Sequence, residues 1–333
     1  MIEGFDFRQK IKPVRWLVEG FIPREALSFW LAQAGVGKSY IISALVTSII
    51  HGELFLGMKT TSCNVLLIDQ DTPTNALQKN LILYKKHYNK EPVCRLYLES
   101  MNGYSIRDKG LLAAILKYED AEVVIIDCLT SICPGVEMIK ASEMSRIGEL
   151  KQELISRGKT LIITHHISEK KEISPHDLMV MDAHGLAMYS SVINQQADML
   201  YIVGNPNAGR NCKELFIRPW SKRYLATVKP FICSLVQEKG EQHLDYVGEY
   251  SRGGNEELGD DEKMILDAFE TPGVYLFAIS VYKAIGYAIG INGVYKILKE
   301  LTYKKYLKLG KERHNKFKWC LNEEKVILEV KRP

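Results

Sequence analysis

Short, largely apolar runs alternate along this chain with longer segments of helical length. The runs are Ala26 to Leu31, Asn64 to Asp69, Val93 to Leu98, Glu122 to Asp127 and Thr160 to His166. Between them lie Tyr40 to Ile50, Pro73 to about Lys90, Lys109 to Tyr118 and Ser142 to Arg157. Continuous apolar runs are strands buried on both faces, and strands alternating with helices make parallel crossovers. The pattern predicts an α/β fold with a mostly parallel central sheet, helices on both faces. Residues 1 to 25, with Trp16 to Pro23, read as a short lead-in to the first core strand.

After His166 the pattern changes. Ile167 to Leu186 is polar, mixed in charge and broken by Pro175 and Gly185, the mark of a long functional loop. Strands are then expected at Asp198 to Val203, Glu214 to Arg218, Phe231 to Gln237 and His243 to Val247. Their short polar connections suggest hairpins, hence an antiparallel extension of the sheet. Ser251 to Asp261 is Gly-rich and acidic and reads as a linker. The expected domains are therefore 1–250 and 262–333, joined by 251–261.

The smaller unit is predicted to hold helices at Glu262 to Phe269, Ser280 to Tyr287 and Gly293 to about Lys304, the last capped by Asn292. Val294, Ile297, Leu298 and Leu301 share one face of that third helix. Tyr306 to Leu309 and Phe317 to Leu321 then flank Gly310 to Lys316 as a basic hairpin, the element order of a winged helix-turn-helix.

Composition narrows the class only a little. At 333 residues, 46% hydrophobic and 25% charged, the chain is that of an ordinary soluble protein, and a net charge of +4 names no partner. Distribution says more, because ten basic residues stand against two acids, Glu300 and Glu312, between Lys283 and Lys318. Tyr295, Tyr303, Tyr306, Phe317 and Trp319 are interleaved with them, a composition suited to nucleic-acid phosphates. A protein-interaction domain or a solvated lysine face would carry the same charge. Seven scattered cysteines without a C-x-x-C pair argue for reduced thiols and against a zinc site or disulfide framework. Glu3 and Asp6 without an apolar segment argue against a signal peptide, and Tyr40 to Ile50 is too short to span a bilayer. A cytoplasmic protein with no membrane association is the expectation.

The chemistry begins at Ala32-Gln33-Ala34-Gly35-Val36-Gly37-Lys38-Ser39, placed after a strand and opening a helix. That is a P-loop in its working context. Backbone N–H groups from Gln33 to Tyr40 would cradle the phosphates of ATP, Lys38 would reach the β- and γ-phosphates, and Ser39 would ligate Mg²⁺. Asp127, ending an apolar strand, fits the second acid that holds Mg²⁺; it would otherwise cap the next turn. Hydrolysis needs a carboxylate for the attacking water. Asp71 is the candidate and Asp69 its rival, and either would also serve merely to cap the following helix. His165 and His166 end the next strand, where a γ-phosphate sensor would sit. Neighbours on a strand face opposite ways, so at most one meets the phosphate. Arg218, Lys222 and Arg223 suit a charge supplied in trans to a neighbouring subunit's phosphate, or plain surface charge.

Taken in order, the P-loop, Asp71, Asp127, His165-His166 and Lys222-Arg223 resemble the motifs of RecA-fold ATPases, over about residues 14 to 247. More narrowly the chain resembles the RepA-type hexameric replicative helicases, related to DnaB helicases and RecA/RadA recombinases. That resemblance implies a homo-oligomeric ring or filament and DNA as partner. Single-stranded DNA would meet the ring through Ile167 to Leu186, with Lys170 and Lys171, and duplex DNA would meet 262–333. It implies a glutamate where Asp71 stands, a sensor at the histidines and an inter-subunit finger at Lys222-Arg223. An ATP-gated regulator, a helicase loader or a recombination mediator would use the same parts. Partition ATPases fit less well, since an extra P-loop lysine is replaced by Gln33 or Ala34.

Overall fold

A computed structural model describes residues 13–33, 35–107, 109–133, 141–167, 191–205, 213–221, 224, 228–238, 240–250, 260–269, 275–303, 306–311 and 317–321. The chain divides into two compact units, Met1–Tyr250 and Ser251–Pro333.

The larger unit begins with a small hairpin, β1 (Trp16–Val18) and β2 (Ile22–Pro23), turned at Gly20 with φ +67°. There follow β3 (Leu27–Ala32), α1 (Lys38–His51), β4 (Val65–Asp69), α2 (Thr74–Tyr88) and β5 (Leu96–Ser100). Then come α3 (Gly110–Leu116), β6 (Val123–Asp127), α4 (Ala141–Ser156), β7 (Thr160–His166), α5 (Ser191–Gln196) and β8 (Met199–Gly204). Three further strands close the unit: β9 (Glu214–Ser221), β10 (Phe231–Glu238) and β11 (Glu241–Glu249).

One nine-stranded sheet carries all but the first hairpin, in the order β11-β10-β9-β8-β3-β7-β6-β4-β5. From β5 to β8 every pairing is parallel, and from β8 to β11 every pairing is antiparallel. This is the RecA-like P-loop fold, with β7 inserted between the strand that feeds the glycine loop and the strand that ends in Asp127. Alternate residues of each strand enter opposite cores. Trp30, Leu67, Ile125, Ile162 and Tyr201 pack with Ile41, Leu45 and Ile49 of α1. Phe29, Ile68, Ile126, Ile163 and Ile202 pack with Ile115 of α3 and Leu150 and Leu154 of α4. Two separate hydrophobic layers explain why the strands read as continuous apolar runs.

Local chemistry ends the elements where they end. α1 is buried on nearly all sides and stops at Gly52, a left-handed cap with φ +67° whose N–H reaches back to the Ile49 and Ser48 carbonyls. α2 stops at Asn89 in the same conformation, three basic residues filling its last turn. The first hairpin is pinned by Phe21, which lies 4.8 Å from the Tyr201 ring, itself stacked 4.3 Å from Trp30. Across the opposite core, Lys151 of α4 pairs with the buried Asp198 at 2.8 Å, and Asp198 also accepts the Leu27 N–H at 2.8 Å. The fifth strand sits at Leu96–Ser100, slightly beyond the expected Val93 to Leu98, because Val93 and Cys94 bond instead to the Ile50 carbonyl.

In the smaller unit, α6 (Asp260–Asp267), β12 (Leu276–Phe277), α7 (Ala278–Ala284), α8 (Ile291–Tyr303), β13 (Leu307–Lys311) and β14 (Phe317–Leu321) follow in order. The strands form an antiparallel sheet, β12-β14-β13. Val294, Leu298 and Leu301 are fully buried against Ile265, Val281 and Trp319, the face expected of this helix. Asn292 falls inside the first turn of α8, not at its cap, since the helix opens at Ile291. β12, two residues long, carries no sequence pattern of its own. The expected linker, but for Asp260 and Asp261 in α6, lies outside the described residues. So do most of Ile167 to Leu186, with Lys170 and Lys171, and most of the hairpin turn. Among the described residues, no helix is long and apolar enough to cross a membrane.

Candidate nucleotide site

The carboxyl ends of the parallel strands set the site. Ala32 lies opposite His166 in the β3–β7 register, and Asp69 opposite Asp127 in β4–β6. Ligands of open α/β sheets bind at this end. A cavity of about 580 Å³ opens there, lined by the loop from Gly35 to Tyr40, by Asp71, Thr72 and Asp127, and by His166. Lys79, Asn80 and Leu83 of α2 with Gln237 and Gln242 of the last hairpin form its outer wall. Gly35 and Gly37 have φ +75° and +112°, a left-handed path that side chains rarely adopt, and it turns the chain into α1.

Lys38 is 7% exposed. Its Nζ donates to the Gln33 carbonyl at 3.4 Å and lies 3.1 Å from Nδ1 of His166. Burial pushes this ammonium below its ordinary pKa, against the pull of Asp127, Cys128 and Asp71. A buried cation at a helix N-terminus, held by a carbonyl and an imidazole, is matched by an anion from outside. ATP phosphates fit that requirement. The Ser39 hydroxyl donates to Asp127 Oδ2 at 3.0 Å, and Thr164 donates to the other oxygen of the same carboxylate. Ser39 and Asp127 are thus hard oxygen groups on one spot beside the phosphate position, which fits Mg²⁺.

The two acids after β4 separate clearly. Asp69 is 1% exposed, and its Oδ1 accepts the N–H groups of Asp71 and Thr72 at 2.9 and 2.8 Å. It caps the turn into α2, and burial raises its pKa despite those bonds. Asp71 faces the cavity instead. Cys128 Sγ donates to its Oδ2 at 2.9 Å, and Ser131 donates to Oδ1. The ligand atoms of Asp71, Cys128 and His166 lie within 4.8 Å of one another.

The histidines divide as strand geometry requires. His166 lines the cavity on the face of Thr164 and Ile162, which is the α1 side. His165 turns to the other side and is 2% exposed. Burial, then the neighbouring His166 and Lys38, pulls its pKa down to about 4. The folded protein therefore holds His165 neutral while the unfolded chain binds a proton below about pH 6.5. Stability is expected to fall as pH drops from about 6.5 to 4, by about 3 kcal/mol in all. Urea unfolding across that range checks it, with His165→Gln expected to flatten the slope.

Of the other anticipated residues, Gln33, Val36 and Tyr40 belong to the loop and first helical turn. Ala34, Lys222 and Arg223 lie outside the described residues, and Arg218 sits in β9 opposite Ile202. The sequence reading passed over Cys128, Ser131, Thr164 and the outer wall. Thr164 carried a usable signal, since it shares a strand face with His166 at a spacing of two. The outer wall carried none, because it depends on the last hairpin folding over α2.

A family model described as an AAA domain matches residues 3–172, from ahead of β1 through the end of β7 and half of the chain. No curated protein matches the chain. Among solved structures it is similar to the crystal structure of flagellar accessory protein FlaH from Methanocaldococcus jannaschii. That match has a TM-score of 0.43 and 13% identity, and covers 69% of this chain and 92% of that one.

Proposed function

The chain belongs to the AAA domain family, and from that premise we propose a Mg²⁺-dependent ATPase that acts on DNA as a helicase of RepA or DnaB type. The observation that carries the ATPase part is the convergence of Lys38, Ser39, Asp71, Asp127 and His166 on one cavity. Mg²⁺, when bound, neutralises charge on the β- and γ-phosphates. Lys38 and the loop N–H groups bind the phosphates, Ser39 and Asp127 hold the ion, and Asp71 accepts a proton from the attacking water. His166, in contact with Lys38, is placed to register the γ-phosphate. Lys222 or Arg223, directly after β9, would reach a neighbouring subunit's phosphate in a ring or filament.

The DNA part rests on the smaller unit, read as a winged helix. Tyr295, Lys296 and Lys299 are exposed on α8, while its Val294 and Leu298 are buried. An exposed helix face with aromatic and basic residues suits phosphate and groove contacts. The test measures ATP turnover and single-turnover strand displacement with and without single-stranded DNA. Turnover is expected to rise with DNA and unwinding to require ATP. Duplex binding through 262–333 with hydrolysis but no unwinding would indicate a loader or regulator. A DNA-indifferent rate would remove DNA from the function and leave the ATPase.

A further inference from the structure

A second cluster of metal-ligating side chains lies away from Lys38 and Asp127, where α2 meets the last hairpin. His87 stands in the final turn of α2, and Glu241 and His243 are two residues apart on β11, so they share a strand face. One ligand atom of each lies within 4.8 Å of the other two. The His87 and His243 rings are stacked, with centroids 4.0 Å apart and planes 18° from parallel. Nδ1 of His243 is buried and has no hydrogen-bond partner, although a polar atom so placed ordinarily finds one. Its other nitrogen, Nε2, lies 3.4 Å from Asp245 Oδ1. With Nε2 on the Asp245 side, Nδ1 is the nitrogen left for an ion.

We propose that His87, Glu241 and His243 bind one divalent transition-metal ion of zinc type, fastening the β10–β11 hairpin to α2. Two imidazoles and one carboxylate are the donor set of zinc and its neighbours, and they do not suit Mg²⁺ or Ca²⁺. Asn80 lies two turns before His87 on α2, and Gln242 between the two strand ligands donates to it. Both line the nucleotide cavity. The ion therefore fixes the outer wall of that cavity, by a site separate from the Mg²⁺ position.

Zn²⁺ alone is titrated by calorimetry into the chelator-stripped full chain, and Co²⁺ is used as a spectroscopic probe of the same site. One equivalent is expected to bind, and the His87→Ala/His243→Ala double variant is expected to bind at least about tenfold more weakly. Zn²⁺ should raise the melting temperature of the wild type and not of the variant. The Co²⁺ spectrum of the unaltered chain is expected to show nitrogen and oxygen ligation without a thiolate charge-transfer band. A thiolate band would place the ion at Asp71, Cys128 and His166 and overturn the proposal. Unchanged affinity in the double variant would overturn it equally.

Discussion

Replacing Lys38 by Ala is expected to lower ATP turnover by about 10²–10³-fold, some 2.7–4 kcal/mol of transition-state stabilisation. The size follows from where the charge sits. The side chain is 7% exposed, at the first turn of α1, and burial already weakens its hold on the proton. Among the described residues it contacts the Gln33 carbonyl and His166 and feels Asp127 and Asp71 only at longer range, so burial outweighs their pull before phosphate arrives. Phosphoryl charge and this cation therefore stabilise each other in a low-dielectric pocket, where such pairs are strong. The same reasoning predicts an opposite effect on the fold. Removing a buried, poorly matched charge is neutral or stabilising, so the melting temperature of Lys38→Ala should hold or rise. Turnover and ATP affinity measured beside calorimetric melting check both halves. Unchanged turnover would remove the site assignment, and a large loss of stability would make Lys38 a structural residue.

Much of this site is legible in the sequence alone. The glycine loop declares itself because its chemistry is local: strand, tight turns and helix follow one another within a few residues. Asp127 is readable for a related reason, as an acid closing an apolar run marks a strand end. Parity along β7 allows at most one of His165 and His166 at the phosphate, but which one is set by the face of the sheet that α1 covers. The choice between Asp69 and Asp71 did not yield to pattern. Both precede a helix, and only the turn geometry shows Asp69 bonding two N–H groups while Asp71 points outward. Cys128 and Ser131 were invisible as partners of Asp71 because the contact depends on β4 pairing with β6, fifty-odd positions along the chain. The same limit hid the metal-ligand cluster, whose members come from a helix and a distant hairpin. The hairpin of β1 and β2 escaped because its strands are three and two residues long, too short for any period to register.

Asp71→Asn is expected to lower the rate of hydrolysis by about 10²–10⁴-fold while leaving ATP affinity nearly unchanged. Asp71 stands apart from the glycine loop, so losing its basicity removes proton transfer from water without disturbing phosphate binding. An aspartate reaches less far than a glutamate would, and the structure compensates by fixing it. Cys128 donates to Oδ2 at 2.9 Å and Ser131 to Oδ1, so both carboxylate oxygens are oriented from one side. Glutamate at this position would carry its oxygens past those donors, so Asp71→Glu should recover little of the rate. Asp69→Asn supplies the contrast. Its amide oxygen can still accept the N–H groups of Asp71 and Thr72, so turnover should stay within a few-fold of wild type. Single-turnover hydrolysis with separately measured ATP affinity distinguishes the two acids. If Asp69→Asn collapses the chemical step and Asp71→Asn spares it, the water-activating role passes to Asp69, and the thiol and hydroxyl around Asp71 become packing alone.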